Sequence, residues 1–438
     1  MIKDKSLTLI LSKIEAQGAN VIKYNYTIKI CINLAKFNFL TAKPLLYLLL
    51  NKFENSYFIL MEGLPYCLMP DASSHIIYVR NAQAHYVKKK VCPDCKYENH
   101  CPGWPHGFEI TDNIRPANIK DLPKEIVLEI TQKCNQSCLL CFSKKEAKEM
   151  PLERIKEITD ECHTLGIKAV RFTGGEPLLY KDLEKALQYA KKKNLYVLLN
   201  TNATVLDEKN KNMLKKYVDN LLISLQGFNH YTEEKLTKTK VNFKEKINNI
   251  IVLNRLIPTV RIGTAISNTL LNNFHKYYFL ITKLGVNHWE FYRPMTSDKN
   301  EEFIIKDNDF LKIMLYIKQI KKSGMDIKIA NPLPFCITSD FGLSVYTLLG
   351  AEADDGHSRM IFDPAGFYKP SYSINKNLGT KITTAWGNPF FQRIRSLSFL
   401  PEKCKKCFYL KWCKGGSRYW AKIVNHDYFS ADPLMNSE

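Results

Sequence analysis

Between residues 124 and 331 strand-like and helix-like runs alternate, and no other feature of the chain narrows its fold so far. Glu125-Ile-Val-Leu-Glu-Ile130, Lys168-Ala-Val-Arg-Phe172, Leu195-Tyr-Val-Leu-Leu199, Asn220-Leu-Leu-Ile-Ser-Leu225, Thr259-Val-Arg-Ile-Gly-Thr-Ala-Ile-Ser267 and His288-Trp-Glu-Phe-Tyr-Arg293 read as strands. Helical periodicity falls between them, near 151–165, 181–193 and 274–284. Such alternation predicts a parallel βα architecture, an α/β fold, because parallel neighbours need long crossover connections. Functional groups are then expected at the carboxyl ends of the strands.

The flanks do not share this pattern. Residues 1–122 read as a small α+β domain: a helix-like start, strands near 26–34 and 57–61, and a helix near 40–52. Arg115 to Pro123 reads as a linker, and 332–438 as a third domain after a barrel segment 123–331. A length of 438 residues suits two or three domains. Lysine and arginine exceed acidic residues by 63 − 43 = 20, yet the lysines are interspersed with Asp and Glu on apparent helices. Most of that charge therefore reads as solvated faces, with RNA as an alternative partner and Lys88-Lys-Lys90 as the best local patch. The most apolar early run, Leu45 to Leu50, is too short for a membrane span, and the expected compartment is the cytoplasm.

Thirteen cysteines in a large chain, grouped at metal-ligand spacings, point to metal sites rather than disulfides. Cys134, Cys138 and Cys141 form C-x3-C-x2-C directly after the first strand-like run. Three thiolates on a tight loop suit an iron–sulfur cluster with one iron left open, a site for activating a small molecule. A zinc knuckle would want a fourth Cys or His within a few residues, and the next cysteine is Cys162, which falls on a helical face with Ile155 and Ile158. Cys31 reads as the inner face of a strand. Thr173-Gly-Gly-Glu-Pro-Leu178 follows the second run; Gly174 and Gly175 let backbone approach a ligand, and Glu176 offers an acceptor for an ammonium group.

The triplet, the aromatic Phe142 after it, and the GGEP element one strand–helix unit later resemble the radical S-adenosylmethionine superfamily. The resemblance implies a partial (β/α)6 barrel, a 4Fe–4S cluster with an open iron, and S-adenosylmethionine (SAM) bound by that iron and by the Gly174, Gly175, Glu176, Pro177 element. Thr201-Asn202-Ala203-Thr204 is similar to the family's TNGT, with Ala203 where Gly is usual. Ser224-Leu-Gln226-Gly227 resembles its SxDG, and the neutral Gln226 stands where an acid meets the ribose. Ile266 is implied as an adenine contact. Arg293 either meets a carboxylate or pairs with Glu290.

The segment from Cys336 through Ile361–Tyr368 to Cys404-x2-Cys407-x5-Cys413 resembles the SPASM or twitch extension of radical enzymes that modify peptides. Ser371 and Ser417 stand where the full pattern has cysteines, which implies one auxiliary cluster fewer than the usual two. The N-terminal segment echoes the C-terminal one: LPYC then C-x2-C-x5-C with a following x-Gly, against LPFC then the same triplet. Two four-cysteine sites follow, Cys67, Cys92, Cys95, Cys101 and Cys336, Cys404, Cys407, Cys413, giving one or two auxiliary 4Fe–4S clusters, with zinc an alternative at the N-terminal site. The implied activity is reductive SAM cleavage to a 5′-deoxyadenosyl radical that takes hydrogen from a peptide or protein, served by a ferredoxin- or flavodoxin-type reductant. The alternatives are modification of RNA or of a small-molecule cofactor intermediate, and a non-catalytic iron–sulfur or zinc scaffold.

Overall fold

In the computed structural model of the protein, residues 5–24, 27–34, 36–53, 57–69, 72, 75–77, 86–88, 92, 101, 103–105, 122–141, 148–295, 300–348 and 356–435 are described. The chain divides into two compact units, Met1–Asp121 with Asp340–Gly350, and Leu122–Ser339 with Ala351–Glu438.

The first unit runs α1 (Lys5–Glu15), β1 (Ala19–Tyr24), β2 (Thr27–Ile32), α2 (Phe39–Phe53), β3 (Phe58–Glu62) and β4 (Ile76–Ile77), followed by a short antiparallel pair, β5 (Tyr86–Val87) with β6 (Trp104–Pro105). Its sheet has the order β1-β2-β3-β4, antiparallel only between β1 and β2. Leu7, Ile10, Leu11 and Ile14 of α1 and Leu46, Leu49 and Leu50 of α2 close a core over Ile28, Ile30 and Ile32. That alternation corrects the reading of Cys31: the buried residues of β2 are its neighbours, and Cys31 lies half-buried on the other face, donating to Glu62 at 3.4 Å.

The second unit is built on nine strands: β7 (Glu125–Thr131), β8 (Ala169–Gly174), β9 (Tyr196–Thr201), β10 (Asn220–Ser224), β11 (Thr259–Ala265), β12 (His288–Tyr292), β13 (Asp326–Ile329), β14 (Arg359–Phe362) and β15 (Tyr368–Lys369). Their order is β13-β12-β11-β10-β9-β8-β7-β14-β15, parallel throughout except for the β14–β15 hairpin. The two edge strands do not pair with each other, so the barrel is partial. Six strands were expected; β13 extends one edge and the hairpin the other. Both are short, and the hairpin comes from the segment read as a separate domain, although β14 hydrogen-bonds along β7.

Helices α3 (Leu152–Leu165), α4 (Leu183–Lys192), α5 (Glu208–Tyr217), α6 (His230–Thr237), α7 (Phe243–Leu256), α8 (Asn268–Asn272), α9 (Phe274–Leu284) and α10 (Asp307–Ile320) supply the crossovers. Amphipathic spacing decides which face each buries: Ile155, Ile158 and Cys162 of α3, and Phe274, Tyr277, Ile281 and Leu284 of α9. Phe274 stacks on Trp289 and leans on Phe291 of β12, which fixes the helix-facing side of the sheet. Glu290 and Tyr292, one residue out of phase, therefore face the lumen.

Candidate active site at the carboxyl ends of the strands

The loop that leaves β7 carries Cys134, Cys138 and Cys141, and each neighbouring strand end holds it through a different group. The Gly175 amide donates to the Thr131 carbonyl at 2.6 Å and the Glu176 amide to the Lys133 carbonyl at 2.7 Å. A Cβ on Gly174 would stand 2.1 Å from the Thr131 oxygen, and one on Gly175 would stand 2.0 Å from the Lys133 oxygen. The glycine pair is thus required by the cysteine loop's own backbone, a closer constraint than the ligand approach expected from sequence.

Glu176 also departs from expectation. Its buried carboxylate accepts from Thr201 Oγ1 at 2.7 Å, the Asn202 amide at 2.7 Å and the Leu178 amide at 3.1 Å. Burial raises its pKa against those bonds. The group fastens the β8 end to the β9 end instead of facing an ammonium ligand, and Pro177 starts the short turn that follows. Asn202 Nδ2 donates to Asn135 Oδ1, and Asn135 Nδ2 to Thr204 Oγ1, both at 2.8 Å, tying the loop to β9.

The far side of the loop rests on α6: Ser137 and Leu139 amides donate to the Thr237 and Leu236 carbonyls at 3.0 and 2.9 Å. Leu139 and Leu140 pack on Leu236, Ala265 and Phe303. A cavity of about 180 Å³, lined in part by Asn135, Gln136 and Lys246, lies beside the loop. Beneath α6 sits a pair that sequence reasoning missed, Glu233 with Lys246 at 2.6 Å, both essentially buried. Glu233 Oε2 also accepts the Gln226 and Gly227 amides at 2.9 and 2.5 Å, so one carboxylate joins the β10 end to α6 and α7. The signal for Lys246 was its place on the stripe Lys246, Asn249, Ile250, Leu253, a charge in an apolar phase.

Gln226 Nε2 donates to Ser224 Oγ at 2.7 Å and its Oε1 accepts the Ala265 amide at 3.0 Å, so the amide bridges the β10 and β11 ends. Ile266 is fully buried, and the adenine contact implied for it is corrected: no side-chain surface is exposed for a base to touch. Of the two alternatives for Arg293, the pair with Glu290 is not formed; the guanidinium meets the carboxylate of Asp432, as a bidentate pair at 2.8 and 3.3 Å. Phe142 lies outside the described residues.

The donor set fits an iron–sulfur cluster. Cys134 and Cys138 are half-buried and Cys141 is exposed. Burial, then the neighbouring Cys141 and Cys134, push Cys138 up to about 12. Three thiolates could share that loop only beside a cation, which a bound metal would supply. The same holds at the second set. Burial, with Cys336 and Cys404 nearby, raises Cys413 to about 11, and burial, with Cys336 and Cys407, raises Cys404. Cys336 comes from the turn Phe335–Ile337, Cys404 from the helix Glu402–Lys405 and Cys413 from the helix Leu410–Cys413, and the Phe335 amide donates to Cys413 Sγ at 3.4 Å. The structure brings these four thiols within electrostatic reach. Among the described residues no three His, Cys, Asp or Glu stand close enough to hold a single metal ion. Ser417 caps the helix Arg418–Asn425 through the Trp420 amide at 3.3 Å, and Ser371 is buried. At the N-terminal set, Cys67 packs on the first unit's core and Lys88 Nζ donates to the Cys101 carbonyl at 2.8 Å; Cys92 is half-buried and Cys95 lies outside the described residues.

Residues 128–273 match the model of the radical SAM superfamily. The chain is similar to AdoMet-dependent heme synthase of Methanosarcina barkeri, 27% identical over 71% of this chain and 95% of that protein. It is similar to PqqA peptide cyclase of Granulibacter bethesdensis, 21% identical over 71% of this chain and 86% of that one. Its fold is similar to Streptococcus suis SuiB bound to the precursor peptide SuiA, with a TM-score of 0.60 at 17% identity, over 75% of this chain and 84% of that chain. No helix of the described residues is long and apolar enough to cross a membrane.

Proposed function

Because the chain belongs to the radical SAM superfamily and is an enzyme, we propose that it modifies a side chain of a peptide or protein, as a maturase of a genetically encoded precursor. When bound, the cluster and SAM supply the electron and the 5′-deoxyadenosyl radical that takes hydrogen from substrate. Cys134, Cys138 and Cys141 would hold that cluster. Gly174, Gly175 and Glu176 keep the cysteine loop pressed on β8, and Asn135, Asn202 and Thr204 keep it pressed on β9. Ser224 and Gln226, at the β10 end, face the ribose. Leu139 and Leu140, within the loop, pack on Leu236, Ala265 and Phe303 and exclude water from its inner side.

The observation that carries the peptide reading is the four-thiol set Cys336, Cys404, Cys407 and Cys413 gathered in the same unit as the barrel. An auxiliary 4Fe–4S cluster there suits peptide-modifying enzymes of this family, and the likeness to PqqA peptide cyclase and to peptide-bound SuiB supports it. The first unit presents β1 as a sheet edge, onto which a leader segment can add as a strand. Its own cysteines, Cys67, Cys92, Cys95 and Cys101, hold a second cluster or a zinc ion, and a ferredoxin- or flavodoxin-type carrier supplies electrons. The similarity to heme synthase favours a second reading, modification of a small-molecule cofactor intermediate.

The test is anaerobic reconstitution with SAM and dithionite, followed by co-expression with short peptides encoded next to its gene. Formation of 5′-deoxyadenosine with a mass change in one such peptide is the expected result. No 5′-deoxyadenosine from iron-replete protein would end the proposal; 5′-deoxyadenosine with every peptide unchanged would transfer it to the small-molecule reading.

A further inference from the structure

Parallel strands covered on both faces are ordinarily apolar on both. Here the helix-facing residues obey that rule and the lumen-facing ones break it. Register and alternation put Glu125 of β7, Arg171 of β8, Arg261 of β11, Glu290 of β12, Lys328 of β13 and Arg359 of β14 on the inward face. Two carboxylates meet four cations in this layer. Arg171 holds Glu125 through Nε at 2.7 Å and Nη2 at 3.0 Å, with Arg359 at 3.6 Å. Glu290 accepts from Arg261 Nη1 and from the Tyr292 hydroxyl, both at 2.7 Å, with Lys328 at 3.7 Å.

Both carboxyls stay ionised. Burial works to raise them, but Arg171 and Arg359 at Glu125, and Arg261 and Lys328 at Glu290, hold each down to about 2. Arg261 and Lys328 share the single charge of Glu290, and arginine cannot shed its proton. Lys328 also acts on Asp326, two residues back on the same face of β13. Arg261 gives Nε to Asn220 Oδ1 at 2.8 Å and Nη1 to Glu290, while its Nη2 is buried and makes no hydrogen bond among the described residues. Lys328 stands beyond hydrogen-bond length of Glu290. An unmatched donor in a low-dielectric wall is costly, and an arriving anion removes that cost.

We propose that this layer of the barrel wall receives a carboxylate of the substrate, bound by Arg261 Nη2 and Lys328 Nζ. The inference deepens the peptide reading by assigning the substrate an acidic group that enters the lumen, and it can be tested without turnover. A peptide carboxylate and the carboxylate of a small acid share this chemistry.

The test is isothermal titration of the iron-replete protein with SAM present and no reductant. The probes are glutarate, glutaramide, inorganic phosphate, and the capped tripeptides Ala-Glu-Ala and Ala-Gln-Ala. The acids are expected to bind at least tenfold more tightly than their amides, R261Q to lose that preference, and K328M to lower it severalfold. Tighter binding of the acidic tripeptide than of glutarate assigns the group to a peptide, and the reverse order to a small acid. Equal binding of acids and amides overturns the inference, as does phosphate binding more tightly than either acid or a folded R261Q that keeps the preference. If R261Q does not fold, K328M decides, because its long contact to Glu290 leaves little for the fold to lose. Formation of 5′-deoxyadenosine without added substrate reports on the enzyme reading separately.

Discussion

The cysteine loop after β7 and the four-thiol set near the C-terminus both include thiols whose pKa burial raises, Cys138 in the first and Cys404 and Cys413 in the second, yet they are supported in different ways. The loop has three donors and is held at its edges, by backbone amides at Gly175 and Glu176, by the Asn135–Asn202 pair and by the α6 carbonyls. Its outermost thiol, Cys141, stays exposed. The C-terminal set has four donors and a tail folded back beside them: Asp432 takes Arg293 and the Ser417 amide at 2.6 Å, and the buried Arg418 donates to the Gly415, Tyr428 and Ser430 carbonyls. Three donors leave a coordination position for a ligand, and four complete a cluster. The first arrangement suits chemistry on a bound molecule; the second suits storage and passage of electrons.

The largest effect expected from this contrast is on catalysis. Cys134→Ala should lower 5′-deoxyadenosine formation at least a thousandfold and remove about four irons, one cluster's worth, by chemical assay. Cys404→Ala should remove a similar amount of iron and leave SAM cleavage within about tenfold of the parent. Equal loss of cleavage in both variants would erase the distinction between the two sets.

A crossed pair of variants sharpens the comparison on stability. Glu233→Gln leaves the buried Lys246 ammonium without its counter-ion, and Asp432→Asn does the same to Arg293. Each should destabilise the second unit by about 3–5 kcal/mol, read from denaturant melts. Iron should then be lost first from the loop in the Glu233 variant and first from the C-terminal set in the Asp432 variant, distinguishable by electron paramagnetic resonance with and without SAM. Loss of the same signal in both variants would show that the two supports are not independent.

Acidity separates the barrel wall from both thiol sets. Glu125 and Glu290 titrate from 4.5 in the unfolded chain to about 2 in the folded one, so their stabilisation is full above pH 4.5 and is lost as pH falls toward 2. Glu129 runs the other way: burial, against the pull of Lys369, raises it from 4.5 to about 7, so its contribution is full below pH 4.5 and is lost as pH rises to 7. The parent should lose several kcal/mol between pH 4.5 and 2, and Glu129→Gln should flatten the decline between pH 4.5 and 7. A Glu129→Gln melt series parallel to the parent's across that upper range would contradict the assignment.

How much of this could be read in the chain follows from the range of the interactions. The α9 boundaries and the β7–β12 series were legible because periodicity and turn residues are local signals, and the cysteine triplet was legible because its donors share one loop. The Glu233–Lys246 pair, the Arg293–Asp432 pair and the Arg171–Glu125 pair were not, since each joins residues of different elements, 13, 139 and 46 positions apart, through a pairing that only the fold creates. Charged residues stand in Glu125-Ile-Val-Leu-Glu-Ile130 and His288-Trp-Glu-Phe-Tyr, but no inward polar face was drawn from them. Without the register, nothing said which opposite charge each would meet. Among the strands left unread, β1 is an edge hairpin arm and β13 a four-residue edge, where the hydrophobic pattern is weakest.

The smallest effect tests the loop's neighbour at β9. Ala203 has φ of 57°, a left-handed conformation that costs an L-residue about 1–2 kcal/mol, and its position is the one where the resemblance puts glycine. The strain is held in place because the Ala203 carbonyl accepts from Asn249 Nδ2 at 3.0 Å and its amide donates to Thr201 Oγ1 at 3.0 Å. Glycine adopts the same φ without the Cβ clash but gives up more freedom on folding, which offsets part of the gain. Ala203→Gly should therefore stabilise the second unit by about 0.5–1 kcal/mol in denaturant melts. A destabilised Ala203→Gly would mean that the methyl group, fully buried here, contributes packing beneath the Asn135–Asn202 tie worth more than the backbone strain.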